Sequence, residues 1–264
     1  MVRTPSTAWS KCSDGARAGG AGITVDATVV SLLGGEPLPI ALATTIQGLR
    51  GFQRSVPIDA EVVREQIATV LADGPVGAVK VGYVGSAEQA AAVSAALQPL
   101  RGHAPIVVDP VLSATAGGMA STGELVAAYR EHLVPFSQLV TPNTPELLAL
   151  ADGRPESLLE LGAQAVLHKG GHGDGPESVD ALWTSERSRD EPCVRFGRPR
   201  FACGPVRGTG CALASAIATH LAAKHSLLDA CRISGDWLSV LLARVEPRSD
   251  GLPSRMPFGA VRAV

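Results

Sequence analysis

The sequence predicts an α/β fold, a mostly parallel sheet covered by helices, and three observations lead there. Short apolar segments alternate with helical stretches along the chain, the pattern of right-handed βαβ crossovers. Hydrophobic residues make up 45% of the chain but aromatics only 4%. The core is therefore built of Ala, Val, Leu and Ile, which suits helices packed on a buried parallel sheet. The 264 residues are enough for one large core, and no repeat, low-complexity tract or linker divides them. A single domain over residues 1–264 is expected, with the small, polar residues 1–20 loosely held.

Taken in order, residues 21–33 read as a helix after a glycine-rich turn, and 39–46 as a strand. Residues 59–71 read as a helix capped by Asp59, with Val62, Val63, Ile67 and Val70 on its apolar face. A buried strand is expected at 78–84, and Ser86 caps an Ala-rich helix to residue 100. Residues 105–109 form a short apolar strand ending in Asp109. Helix 122–133 and strand 137–141 follow, then short helices at 145–151 and 156–161 and an apolar strand at 163–168. Two antiparallel strands are expected at 179–184 and 194–201, and helices at 209–224 and 227–244 close the chain. In such sheets ligands sit beyond the carboxyl ends of the strands. Lys80, Asp109, Asn143, Glu146, Lys169 and His172 fall there.

The formal net charge is −2 and no block of like charge occurs, so the chain carries no footprint for nucleic acid or an acidic membrane. Arg187, Arg189, Arg195, Arg198 and Arg200 are interrupted by Glu186, Asp190 and Glu191 and read as a solvated hairpin. No uncharged apolar run reaches the ~18 residues of a membrane span. The five cysteines, Cys12, Cys193, Cys203, Cys211 and Cys231, form neither a C-x-x-C pair nor a metal-finger spacing. An odd set without a framework suits a reducing compartment, and no apolar signal core follows Met1. A cytoplasmic protein that acts on a small molecule is expected.

Several segments carry chemistry. Val206-Arg207-Gly208-Thr209-Gly210-Cys211 opens a strongly helical run. Its glycines allow a sharp turn that bares N–H groups, and a helix N-terminus adds about half a positive charge, so the segment can cradle an anion. Cys211 would lie in the first helical turn, where a thiol pKa falls and the group could act as a base. Thr141-Pro142-Asn143-Thr144-Pro145-Glu146 follows a strand, and its Asn and Glu can reach one Mg²⁺ directly or through water. Lys169, in His168-Lys169-Gly170-Gly171-His172, can approach a polyphosphate closely. Lys80-Val81-Gly82-Tyr83, Val107-Val108-Asp109-Pro110-Val111 and Gly19-Gly20-Ala21-Gly22-Ile23, with Asp26 one turn later, are weaker signals. Each segment also has a plain packing reading: a glycine loop before a helix, a proline-started helix with a first-turn acid, an ordinary turn. Taken singly, the segments leave both readings open.

Together, in this order and spacing over about residues 12–245, they resemble the hydroxymethylpyrimidine/phosphomethylpyrimidine kinases of thiamine biosynthesis, within the ribokinase-like superfamily. The resemblance implies a three-layer αβα sandwich, a homodimer, and the use of ATP and Mg²⁺ to phosphorylate hydroxymethylpyrimidine or its monophosphate. It implies that Gly208, Thr209 and Gly210 form an anion hole beside Cys211 as catalytic base. Lys169, Gly171, Asn143 and Thr209 would bind ATP, and Asp109 and Glu146 would organise the metal. Gly20, Ala21, Gly22, Asp26, Thr44, Tyr83 and Val111 would line or brace the substrate pocket. Thr44 falls where the family bears a Gln that pairs with the aminopyrimidine edge, and Tyr83 where it bears Met under the ring. Cys203-Gly204-Pro205-Val206-Arg207 replaces a polar T-x-N-T-H stretch. These departures leave two further readings: a kinase for another hydroxymethyl ring compound such as pyridoxal, and a ligand-binding relative without turnover.

Overall fold

The structure is a computed structural model of the chain and describes residues 1–3, 20–48, 51–112, 122–171, 173, 175–185 and 192–260. The expected turn at 12–19 and His172 lie outside the described residues. Strand β1 (Val2–Arg3) pairs antiparallel with β2 (Glu36–Pro37), which follows helix α1 (Ile23–Leu32). Strands β3 (Ala43–Gly48) and β4 (Gly51–Pro57) form an antiparallel hairpin of their own. The body follows as α2 (Ala60–Ala72), β5 (Val79–Val81), α3 (Ala87–Leu97), β6 (Ile106–Val108), α4 (Gly123–Ala128) and β7 (Leu139–Val140). It continues with α5 (Thr144–Ala151), α6 (Pro155–Glu160), β8 (Ala165–His168), β9 (Glu177–Thr184) and β10 (Val194–Pro199). Strand β11 (Val206–Arg207) leads into α7 (Thr209–Ala222) and α8 (Leu227–Leu242), and β12 (Ser254–Arg255) returns to pair parallel with β11.

The central sheet has six strands in the order β10-β9-β8-β7-β6-β5. Strands β5 to β8 are mutually parallel, and β9 and β10 add the antiparallel edge that the sequence predicts. Side chains alternate across a strand, and here the alternation divides the core. Val79, Val81, Ile106, Val108, Val140 and Val166 face one apolar cluster with α2 to α6. Ala78, Val107, Leu139, Ala165 and Leu167 face the other, with α7, α8 and Val30 of α1. The result is the three-layer αβα sandwich.

Local chemistry explains where the helices begin. Asp59 accepts from the amides of Glu61 and Val62, and Ser86 from that of Gln89, so both expected caps are present. Val62 departs from its expected place: it is exposed, and the face of α2 that turns inward carries Val63 and Ile67. The expected helix 122–133 changes pitch after Ala128, where a π turn (Tyr129–Leu133) buries Tyr129. The Tyr129 hydroxyl donates to the Gly82 carbonyl at 2.8 Å and accepts from the Val84 amide at 3.3 Å, which fixes the loop after β5.

Two expectations are corrected. The strand expected at 39–46 begins only at Ala43 and pairs with β4, not with the central sheet. Pro37 and Pro39 have no amide to donate to a ladder, and β4 is a polar segment whose burial pattern gives no alternation to read. Of the arginine-rich stretch, Glu186, Arg187, Arg189, Asp190 and Glu191 lie outside the described residues, and the described part is not simply solvated. Arg195 is exposed, but Arg198 pairs with Asp180 at 3.1 Å and Asp236 at 3.0 Å and lies over the Phe196 ring. Arg200 donates to the carbonyls of Gly170, Gly171, Gly175 and Glu177.

Candidate active site

The carboxyl ends of the parallel strands open into a cleft of about 1990 Å³. Asp109 follows β6, Asn143 follows β7 and Lys169 follows β8, so successive crossovers deliver these side chains to one place. A backbone bridge between Asn143 and Lys169, with the Lys169 amide on the Pro142 carbonyl at 2.9 Å, extends the parallel ladder into the site. Lys169 donates to Asp109 Oδ1 at 2.8 Å and stands 3.7 Å from Glu146 Oε2. Thr141 donates to the same Asp109 oxygen at 3.2 Å. All four side chains are buried or nearly so.

Burial and pairing set the charges. Burial alone would lower the Lys169 ammonium, but Asp109 and Glu146 hold it above its ordinary value. Burial alone would raise Asp109, but Lys169 and Lys80 hold it low. Glu146 goes the other way: burial pushes its carboxyl up to about 7 against the pull of Lys169, and Asp109 adds to the rise. Glu146 also completes a capping box with Asn143 at the start of α5, with hydrogen bonds of 2.8 and 2.9 Å. The packing reading of this motif is therefore present in the structure.

The amino end of α7 faces the same cleft. Gly208 adopts φ 80° as N-cap and offers no capping side chain, so the first-turn amides are left for an external acceptor. A Cβ added at Gly210 would stand 3.2 Å from Lys169 Nζ and 3.9 Å from both Asp109 carboxylate oxygens. The anion cradle and the ammonium thus share one space. Cys211 sits in this first turn, but its expected low pKa is not found. Burial pushes the thiol up to about 11, against the pull of Lys80 and an N–H from Gly22. Burial outweighs both, and the Asp26 and Asp109 charges add to the rise.

Of the expected pocket residues, Ala21, Gly22, Tyr83 and Val111 line the cleft. Gly20 is buried behind it, where its carbonyl comes within 2.3 Å of the position a Cβ on Gly208 would take. Asp26 is a brace: Lys80 donates to its two oxygens at 3.0 and 2.9 Å, and Ser215 donates at 2.9 Å. Gly171 and Thr209 line the cleft as expected. Thr44 does not. Strand alternation turns it to solvent and turns Ala43, Thr45 and Gln47 inward.

Two residues were missed in the sequence, and a third was noted there without a role. Gln47 lies three residues beyond Thr44, an odd offset that puts it on the opposite, inward face. Lys80, the middle residue of β5, was noted in the sequence among the strand-end residues but given no role, and its side chain is buried against Asp26. Burial alone would lower its ammonium, but Asp26, Cys211 and Asp109 hold it above its ordinary value. Arg207 precedes the glycines of the cradle, and its guanidinium reaches β3. Strand period two sets Gln47 on the face opposite Thr44, but only the pairing with β4 tells which face turns inward. Nothing local marks the roles of Lys80 and Arg207, because their partners lie far away in sequence.

An anion cradle facing an ammonium across the ends of a doubly covered parallel sheet belongs to the small-molecule kinases of ribokinase-like architecture. Comparison with known proteins agrees. The phosphomethylpyrimidine kinase family model matches residues 17–248. The hydroxymethylpyrimidine/phosphomethylpyrimidine kinase of Escherichia coli is 33% identical over 239 residues, 86% of this chain and 88% of that protein. The thiamine biosynthesis bifunctional protein ThiED of Geobacter sulfurreducens is 35% identical over 243 residues; the match covers 88% of this chain but 48% of that longer protein. Among solved structures, phosphomethylpyrimidine kinase of Clostridium difficile superposes with a TM-score of 0.70 at 28% identity, over 84% of this chain and 94% of that one. Pyridoxal kinase of Bacillus subtilis shares the fold, with a TM-score of 0.78 at 21% identity over 93% and 95% of the two chains. The chain belongs to the phosphomethylpyrimidine kinase family. It is an ATP-dependent small-molecule kinase of thiamine biosynthesis. Among the described residues no helix is long and apolar enough to cross a membrane.

Proposed function

We propose that this chain transfers the terminal phosphoryl group of ATP to the hydroxymethyl group of hydroxymethylpyrimidine, and then to the resulting monophosphate. The observation that carries this reading is the uncapped amino end of α7 opening beside Lys169 and Asp109. In-line phosphoryl transfer needs positioning and charge neutralisation more than covalent chemistry. The amides of the Gly208–Cys211 turn receive the moving group, and Lys169 holds nucleotide phosphates, with Gly171, Asn143 and Thr209 lining the same region.

Among the described residues, no three His, Cys, Asp or Glu side chains come together in a way that would hold a metal by themselves. The donor set nevertheless fits Mg²⁺, which keeps several waters and takes one or two carboxylates together with substrate phosphates. Glu146, pushed up to about 7 by burial and by the neighbouring Asp109 carboxylate, is the observation in favour, since a bound cation would offset both. Asp109 and Glu146 would hold the ion, which when bound neutralises phosphate charge. Lys169 would then share both carboxylates with it.

Cys211 is a thiol at rest. It serves as base for the hydroxymethyl group through its thiolate fraction, with Lys80 as the standing positive charge beside it. A phosphate nucleophile is already ionised and needs no base. Gln47 on the inward face of β3 supplies the amide that reads an aminopyrimidine edge, which favours the pyrimidine over pyridoxal. The free thiols Cys193, Cys203, Cys211 and Cys231 fit a reducing, cytoplasmic setting, and the family resemblance points to a homodimer, which light scattering on the purified protein would check.

The test is ATP consumption by pure protein with hydroxymethylpyrimidine, its monophosphate and pyridoxal in competition. Turnover with both pyrimidines, and a kcat lower by about 10³-fold or more in Gly210→Asp, is the expected outcome. Pyrimidine binding without ADP release would overturn the reading in favour of a ligand-binding relative.

A further inference from the structure

The hairpin β3–β4 lines the cleft but belongs to no larger sheet. It is fastened at its two ends by single side chains. At the base, Gln89 donates to the carbonyls of Leu42 and Ile58, the residues just outside the two strands. Toward the tip, Arg207 Nη1 donates to the Gly48 carbonyl at 2.6 Å and Nη2 to Gln47 Oε1 at 2.5 Å. Arg207 is only 3% exposed. Its backbone is fixed by the β11–β12 pairing on one side and by the cradle residue Gly208 on the other.

These contacts settle the orientation of the Gln47 amide. A guanidinium has donors only, so it binds the amide oxygen and rejects the NH₂ group. The Gln47 Nε2 in turn donates to Thr45 Oγ1 at 2.9 Å. One N–H and one lone pair of the amide remain for a ligand. That donor–acceptor pair complements a ring nitrogen beside an exocyclic amine. The same guanidinium is one residue from the first glycine of the anion cradle, so the ring-reading strand and the phosphoryl-receiving loop are set in register by one side chain.

We propose that Arg207 is a specificity-determining positioning residue: a latch that holds the hairpin tip over the cleft and presents Gln47 in the one orientation that matches an aminopyrimidine. This rests on the pyrimidine reading given above. The hairpin half of the proposal can be measured without any substrate.

The experiment compares Arg207→Met, Arg207→Lys and Gln47→Glu with the unaltered protein. Two readouts are used: hydrogen exchange of the hairpin amides, and steady-state kinetics with hydroxymethylpyrimidine. Arg207→Met is expected to speed exchange across residues 43–57 by about tenfold or more, the mark of a locally opened segment. It is expected to raise KM for the pyrimidine about tenfold, the worth of one ordered hydrogen bond, with kcat and KM for ATP nearly unchanged. Arg207→Lys, with one point donor for two acceptors, should recover part of both effects. Gln47→Glu keeps an acceptor for Arg207, so exchange stays slow while KM for the pyrimidine rises. Unchanged exchange in Arg207→Met would overturn the latch. Equal losses in kcat and in KM for ATP would overturn it too, since they locate the damage in the cradle. If the unaltered protein fails to turn over the pyrimidine, the functional reading falls while the exchange data still decide the latch.

Discussion

At the scale of single residues, the two glycines of the cradle are needed for different reasons. Gly208 sits at φ 80°, and a Cβ there would meet the Gly20 carbonyl at 2.3 Å. A side chain at 208 is therefore strained whatever its chemistry, and its loss would register as unfolding. Gly210 carries no such backbone constraint. A Cβ at 210 meets only the end of Lys169 and, at 3.9 Å, the Asp109 carboxylate. Gly210→Asp is therefore expected to leave the chain folded while it removes turnover, because on the proposed reading it sets a carboxylate where phosphate would lie. Cys211 supports a second prediction. With its thiol at about 11, alkylation by iodoacetamide should accelerate about tenfold per pH unit up to that region, since only the thiolate reacts. Lys80→Met removes a positive charge that lowers the thiol, so its alkylation curve should move to still higher pH. A curve that levels off near pH 8 would show that the helix N-terminus controls the thiol after all.

At the scale of elements, the hairpin explains both what was legible in the sequence and what was not. The sandwich itself was readable. Apolar strands 78–84, 105–109, 137–141 and 163–168 announce a buried sheet, and Asp59 and Ser86 mark helix starts by a local hydrogen bond. The cradle, Lys169, Asp109 and Glu146 were readable because each sits in a short motif at a strand or helix end. Strand β4 was not readable, because the sequence Gly-Phe-Gln-Arg-Ser-Val-Pro has no apolar alternation. The misplacement of Thr44 follows from the same gap: without β4 there is no register to say which residues of β3 face inward. Contacts such as Lys80–Asp26 and Arg207–Gln47 span 54 and 160 residues, beyond any local pattern. The base of the hairpin yields a prediction. Gln89 is 1% exposed. It donates to Leu42 and Ile58, and it accepts from the Gly85 amide at 2.9 Å. Gln89→Ala leaves a cavity and takes the side-chain partner from the Ile58 carbonyl and the Gly85 amide, while the Leu42 carbonyl keeps the Ile58 amide at 2.9 Å, and should cost about 2–4 kcal/mol of unfolding free energy. Chemical denaturation measures that cost. A change below about 1 kcal/mol would mean that water replaces the amide at no penalty.

At the scale of the molecule, the site competes with the stability of the fold. The crossovers bring Asp109, Glu146 and Lys169 into a buried cluster with two acids and one ammonium, and burial, with the Asp109 charge added to it, falls hardest on Glu146. Its carboxyl titrates at about 7 in the folded chain against 4.5 as an ordinary glutamate. The folded state therefore holds a proton that the unfolded chain has already released, and stability must fall as pH rises between those values. The contribution is complete below pH 4.5 and lost as pH passes through about 7. Asp109, held low by Lys169 and Lys80, acts in the opposite sense, so its contribution is lost only as pH falls into the acid range. The two windows are separable. Thermal melts from pH 5 to 8 should show a decline in the unaltered chain that is flattened in Glu146→Gln, which can keep the capping contact without the charge. Mg²⁺ with nucleotide should raise the melting temperature more at pH 8 than at pH 5, because a cation bound at Glu146 is favoured once its proton has gone. A melting temperature that Glu146→Gln leaves equally pH-dependent would show that the missing charge is borne elsewhere in the cluster. The assignment of Glu146 to the cation would then lose its physical support.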